Sequence, residues 1–161
     1  MSLRRFLLWG VCLGLLAWLG LKLIPSDERL IHKRLTALAE QVSIQPKESS
    51  LARLAKANRV VEFFTPEVTV EVEGLDVTVN DRNDLREALI AARGNLREAE
   101  VQFVDVHVRF PEEKRSAVAY ATAVAHLDNE TNAFARSLKM NLRKVERNWL
   151  ISRVESIATG E

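Results

Sequence analysis

Apolar and polar positions change period several times along this chain. From Phe6 to Ile24 the residues FLLWGVCLGLLAWLGLKLI form one apolar run, broken only by Lys22. From Ser26 the spacing becomes helical, with Ile31, Leu35, Leu38 and Val42 on one side. The Ser26 hydroxyl can cap free backbone amides there, and Asp27 and Glu28 suit the positive end of a helix. After the break IQPKESS a second helix is predicted with Leu51, Leu54, Ala57, Val61 and Phe64 along one side, ending before Pro66, which restricts Thr65 to extended backbone. The period then drops to two: VTVEVEGLDVTV reads as a short hairpin turning near Gly74. NDRNDLREALIAARGN predicts a third helix carrying Leu85, Leu89 and Ala92, with Gly94 as its stop. Four longer strands follow, about 98 to 110, 115 to 127, 132 to 145 and 148 to 157, joined by PEEK, DNET and the ERN turn.

The first run is long enough to cross a bilayer, since nineteen residues at ~1.5 Å each span roughly 28 Å against a hydrocarbon thickness of ~30 Å. Eight leucines with Phe6, Val11 and Ile24 outweigh Lys22, which lies near the end and can snorkel outward. No small-residue cleavage pattern follows, so residues 1–25 are expected to be an uncleaved single-pass anchor, its apolar surface made by Phe6, Leu8, Trp9, Leu13, Leu16, Trp18, Leu21 and Ile24. Arg4 and Arg5 argue for a cytoplasmic N-terminus. Arg29, Lys33 and Arg34 compete from the other side; the expectation is an extracytoplasmic body, periplasmic in a bacterium. The one cysteine, Cys12, falls inside the run, so no intramolecular disulfide reports on the compartment.

Residues 26–161 are enough for one domain with its own core. They hold 20 basic and 22 acidic residues, a formal charge of −2 with interspersed signs, which gives no footprint for nucleic acid. No glycine-rich phosphate loop, nucleophile elbow or metal-ligand spacing occurs: His32, His107 and His126 fall on different elements, and no cofactor or metal is implied. Asn129, Glu130 and Thr131 match a glycosylation sequon, better read as a plain turn.

The element order, with VVEFFTPEVTVEVEG early and RKVERNWLISRVESI late, resembles the nuclear transport factor 2-like (SnoaL-like, cystatin-like cone) superfamily. The closing strand carries that superfamily's W-x-I-x-x-V-E pattern in Trp149, Ile151, Val154 and Glu155. The resemblance implies an α+β fold in which a curved sheet of long antiparallel strands wraps on helices as a cone. It also implies a superfamily of isomerases, dehydratases and epoxide hydrolases together with binding and assembly modules, so fold alone does not select a function.

Strand pairing sharpens the expectation. A PEEK hairpin sets Val108 opposite Ala117, Val106 opposite Ala119 and Val104 opposite Ala121; a DNET loop sets Ala121 opposite Leu138, Ala119 opposite Met140 and Ala117 opposite Leu142. One apolar face results, its central alanines leaving room for closely packed helices or for a cavity. The other face carries Asp105, His107, Arg109, Tyr120, Thr122, His126, Lys139, Asn141 and Arg143. The fourth strand is ambiguous, and Arg153 or Glu155 can be turned inward there. Two functions follow. In the first, the anchored cone is a non-enzymatic module that binds another copy or another subunit through a face including Asp105, His107, Arg109, Tyr120, Lys139 and Asn141. In the second, the cone holds a small apolar molecule, with Asp105, His107 and Tyr120 as an acid/base set acting on it.

Overall fold

The computed structural model describes residues 26–73, 79–113, 115–128 and 132–157. The anchor segment 1–25 lies outside them, and among the described residues no helix is long and apolar enough to cross a membrane. The elements are α1 (Asp27–Val42), α2 (Ser50–Val61), β1 (Phe64–Glu71), α3 (Arg82–Asn95), β2 (Ala99–Arg109), β3 (Ser116–Leu127), β4 (Phe134–Val145) and β5 (Asn148–Ser156). Two compact units divide the chain, 1–30 and 31–161. In the first, the Ser26 hydroxyl accepts the Arg29 amide at 3.3 Å, the cap its position predicts. In the second, the Ser49 hydroxyl accepts from Ala52 at 3.2 Å, and the Asp81 carboxylate accepts from Asn83 and Asp84 at 2.7 and 2.9 Å, so α2 and α3 also begin on side-chain caps.

One five-stranded sheet runs in the order β1-β5-β4-β3-β2, antiparallel throughout except that β1 lies parallel to β5. The predicted first hairpin strand thus joins the main sheet at its edge. Its return is described only at Val79, which bridges Val70; residues 74–78 are not described. Pairing of β3 with β4 follows the expected register, Ala117 to Leu142, Ala119 to Met140 and Ala121 to Leu138.

The β2–β3 register differs from expectation by two residues at the hairpin end, where Val108 faces Ala119 and His107 faces Tyr120. The last pair of the ladder is Arg109 with Val118, so the connection is longer than PEEK; beyond it the register shifts once more at a bulge between Val104 and His107, where Asp105 takes φ of 52°. A bulge adds one residue to one strand, so side chains before it change face. Val104 therefore pairs with Thr122 on the outer face and is exposed, while Ala99, Val101 and Phe103 share the inner face. A second shift in β5, between the partners of Asn141 and Leu142, accommodates the spacing of Trp149, Ile151 and Val154 and buries all three. Arg153 and Glu155 consequently face outward.

The inner face and the helices enclose one apolar core. Ile31, Leu35 and Leu38 of α1, Ala57, Val60 and Val61 of α2, Leu85 of α3, and Phe64 and Val68 of β1 are buried with Ala117, Ala119, Ala121, Met140, Leu142, Ile151 and Val154. Ala119, Met140, Leu142 and Ile151 are at most 1% exposed, so no water-sized void touches them. Among the described residues the small alanines Ala117, Ala119 and Ala121 are buried with the apolar side chains of the helices. The second helix buries Ala57 and Val61 of its predicted side together with Val60, while Leu51, 78% exposed, and Leu54, 45% exposed, of the same side stay in water.

Loop chemistry secures the start of β2. The exposed Asp128 carboxylate accepts the amides of Arg97 and Glu98 at 2.7 and 3.0 Å, and these backbone hydrogen bonds hold its pKa below the ordinary carboxylate value. A depressed folded-state pKa adds stability above the unfolded value and loses it as pH falls through the folded one. Asp128→Ala is therefore expected to lower the unfolding midpoint at neutral pH. In parallel melts at descending pH, its deficit against the parent chain should close below the usual carboxylate range.

Candidate functional site

The outer face of the sheet gathers polar side chains into rows. Glu71, Glu155, Lys139, Tyr120 and His107 form one cross-strand row, each paired in register with the next; Thr69, Arg153, Asn141, Val118 and Arg109 form the adjacent one. Arg153 bridges Glu71 at 3.1 Å and Glu155 at 2.8 Å, and Lys139 meets Glu155 at 3.3 Å. These pairs are open to water and contribute little stability each, but they fix the orientation of the β1–β5–β4 half of the face. Toward β2 the ladder gives way to Tyr120, with the Arg109 guanidinium 5.5 Å from its ring centre.

Five of the six residues expected on an interaction face, His107, Arg109, Tyr120, Lys139 and Asn141, thus lie on these two rows. Asp105 stands apart in the bulge. Among the described residues no hydrogen bond links Asp105, His107 and Tyr120; Asp105 and His107 are exposed, and Tyr120 is half-buried. No group of three His, Cys, Asp or Glu able to hold a metal occurs among the described residues.

A cleft of about 570 Å³ opens elsewhere, between the end of α1, the segment 43–46 and the start of β2. Its floor includes Ala39, Ile44, Val101 and Phe103, and Glu40, Glu98 and Glu100 contribute its acids. The cleft exists because β2 is an edge strand: Ile44 pairs with Ala99 at 2.7 and 3.0 Å and the Ser43 hydroxyl accepts the Val101 amide at 3.0 Å, so a single turn of chain closes only the first part of that edge.

The three helix C-termini are closed by arginines in a cycle that periodicity does not predict. Arg34 of α1 donates to the Glu62 carbonyl at the end of α2 at 2.9 Å, Arg53 of α2 to the Arg93 and Leu96 carbonyls at the end of α3, and Arg93 of α3 to the Gln41 and Val42 carbonyls at the end of α1. Each satisfies carbonyls that a helix end leaves orphaned, and places positive charge at the negative end of the dipole. Arg93, 3% exposed, is the ionisable group that hydrophobic patterning misses; the sequence shows only a basic residue in the last turn of a helix, where arginine is commonplace.

A family model described as a SnoaL-like domain matches residues 52–155, from α2 to the end of β5. Solved structures share the fold at low identity. A protein from Novosphingobium aromaticivorans provisionally assigned as a scytalone dehydratase is 12% identical, with a TM-score of 0.66 over 83% of this chain and 85% of its own. A nuclear transport factor 2-like protein with a cystatin-like fold from the same organism is 17% identical, with a TM-score of 0.65 over 91% and 90%. Aln2 from a Streptomyces species is 8% identical, with a TM-score of 0.62 over 82% and 91%. No curated protein matches the chain.

Proposed function

Since the chain belongs to the SnoaL-like domain family, we propose that it uses that fold without catalysis, as the body of a membrane-anchored interaction module in a membrane-associated complex, held on the extracytoplasmic side. The observation that carries this reading is the division of the molecule: the centre of the cone is filled by apolar side chains, while His107, Arg109, Tyr120, Lys139 and Asn141 stand on an open outer face. Enzymes place proton-transfer groups where burial tunes them, and this arrangement does the reverse. The apolar run 6–24 followed closely by the domain supports a role near the bilayer.

A photo-crosslinking residue at His107 or Asn141 in native membranes is expected to trap a second copy or another protein, and one at exposed Glu87 on α3 is not. Recovery of monomer alone from all three positions would overturn the proposal. A second reading rests on the cleft beside Phe103: the SnoaL-like fold includes members that bind small molecules or act as isomerases and hydrolases. Native mass spectrometry of the purified chain retaining an apolar molecule, lost in Phe103→Asp, favours that reading instead.

A further inference from the structure

Deepening that reading, and resting on its anchor, we propose that the end of the sheet made by the β2–β3 and β4–β5 turns is a docking surface for anionic lipid headgroups. The two turns are adjacent: the Lys144 amide donates to the Arg115 carbonyl at 2.8 Å, and the Phe110 and Trp149 rings meet edge to face at 6.1 Å. Phe110 is nevertheless 48% and Val145 46% exposed, which leaves two large apolar side chains in water at one end of the molecule.

Charge accompanies them. Over residues 109–115 and 143–148 the described basic residues Arg109, Arg115, Arg143, Lys144 and Arg147 outnumber the acids Glu112, Glu113 and Glu146 by five to three, so the strand ends and turns here are positive on a body whose net charge is −2. Apolar side chains ringed by arginine and lysine match a headgroup layer, where each basic side chain contributes about 1 kcal/mol next to anionic lipid. A protein interface would more readily be built on the ion-paired rows of the outer face.

The path of α1 favours the same occupant. Within the second unit its start is near β5, for Arg34 lies 4.5 Å over the Phe63 ring and the Phe63 carbonyl accepts the Ile151 amide at 2.9 Å; its end is at the opposite edge, where Ile44 pairs with Ala99. The helix therefore enters this unit on the side of Trp149 and the two turns. Only six residues lie between Ile24, the last of the apolar run, and Ile31, a distance of seven residue steps. They reach about 10 Å if helical and at most roughly 25 Å if extended. A connection of that length keeps the second unit close to whatever surface the run 6–24 enters.

The full chain in single-copy nanodiscs tests this, with Cys12→Ser and an environment-sensitive fluorophore on Asn148→Cys at the proposed surface or on Asn132→Cys at the far end of the sheet. Discs of phosphatidylcholine with or without phosphatidylglycerol carry a headgroup nitroxide quencher. Quenching at residue 148 is expected to exceed that at 132 by about threefold in anionic discs, and to fall toward the residue-132 level in zwitterionic discs or in high salt. Arg143→Glu with Arg147→Glu should abolish the difference while near-ultraviolet circular dichroism stays native. Equal quenching at the two ends, or indifference to charge reversal, overturns the inference with the anchor intact. Loss of the chain from the discs on alkaline washing overturns the anchor and the inference together. A crosslink from residue 148 to protein instead of lipid in native membranes assigns the surface to a protein and also overturns it.

Discussion

Ala119→Leu is expected to destabilise the domain by about 1–3 kcal/mol, because the added methylenes must enter a core with no room for them. Ala119 is fully buried between the register positions of Val108 and Met140, and Met140 and Leu142 are equally enclosed. In a cone with a ligand chamber behind this alanine, leucine would project into the chamber and cost little, so the substitution distinguishes a filled interior from a hollow one. Urea denaturation of the parent and the variant, with an unchanged slope, measures it. A midpoint equal to or above the parent's would show that space exists behind β3 and would count against the filled interior on which the non-catalytic reading rests. Ala125→Leu is a useful companion: it lies on the same inner face but is only half-buried, opposite Val101 and Phe134, and should be tolerated.

The alanine face was legible in the sequence because alternation and a short loop determine register together. With DNET as the loop, strict alternation on both sides left one pairing of β3 with β4 that put Ala117, Ala119 and Ala121 against Leu142, Met140 and Leu138, and that is the pairing found. The β2–β3 pair failed under the same rules because its connection is longer than PEEK and because a bulge follows at Asp105, an L-residue in a left-handed conformation with no glycine to announce it. In β5 the signal was present in the unequal spacing of Trp149, Ile151 and Val154, which an unbulged strand cannot bury on one face. Helix faces were less secure. Leu51 and Leu54 share the helical spacing of Ala57 and Val61, yet only the later half of that side is buried, with Val60 beside it.

The candidate site was legible as a surface and not as a chemistry. Alternation alone sent His107, Tyr120, Lys139 and Asn141 outward, since an inner face of Val and Ala leaves polar residues only the other side. What alternation could not give was the lateral order of strands. Pairing of β1 beside β5 is what lets Glu71 reach Arg153 and extends the ion-paired row across the sheet. A parallel contact between segments some eighty residues apart leaves no local mark in either of them.

Removing the Arg93 guanidinium is expected to have the largest effect of any single polar substitution, about 2–4 kcal/mol, because several groups lose their partner at once. Burial lowers the pKa of Arg93 from its ordinary value, and nearby Glu48 counters that shift. Its terminal nitrogens close the Gln41 and Val42 carbonyls, and one lies 3.5 Å from the Glu48 carboxylate, itself 7% exposed and held on its other side by Lys56 at 2.7 Å. Arg93→Met keeps the aliphatic stem but orphans the α1 carbonyls and leaves Glu48 to Lys56 alone. Arg93→Lys should recover less than half of the loss, since a single ammonium cannot reproduce the planar fork that serves two carbonyls and a carboxylate. Arg153→Met, which removes an exposed pair, should stay within about 0.5 kcal/mol of the parent. The consequence extends to dynamics. Val42 is followed directly by Ser43 and Ile44, which close the edge of β2, so amide exchange at Ile44, Ala99 and Val101 should accelerate in Arg93→Met well before global unfolding. If the variant melts with the parent and those amides stay protected, the arginine is not what ties α1 to the sheet edge, and the edge must be held by the Ile44–Ala99 pairing alone.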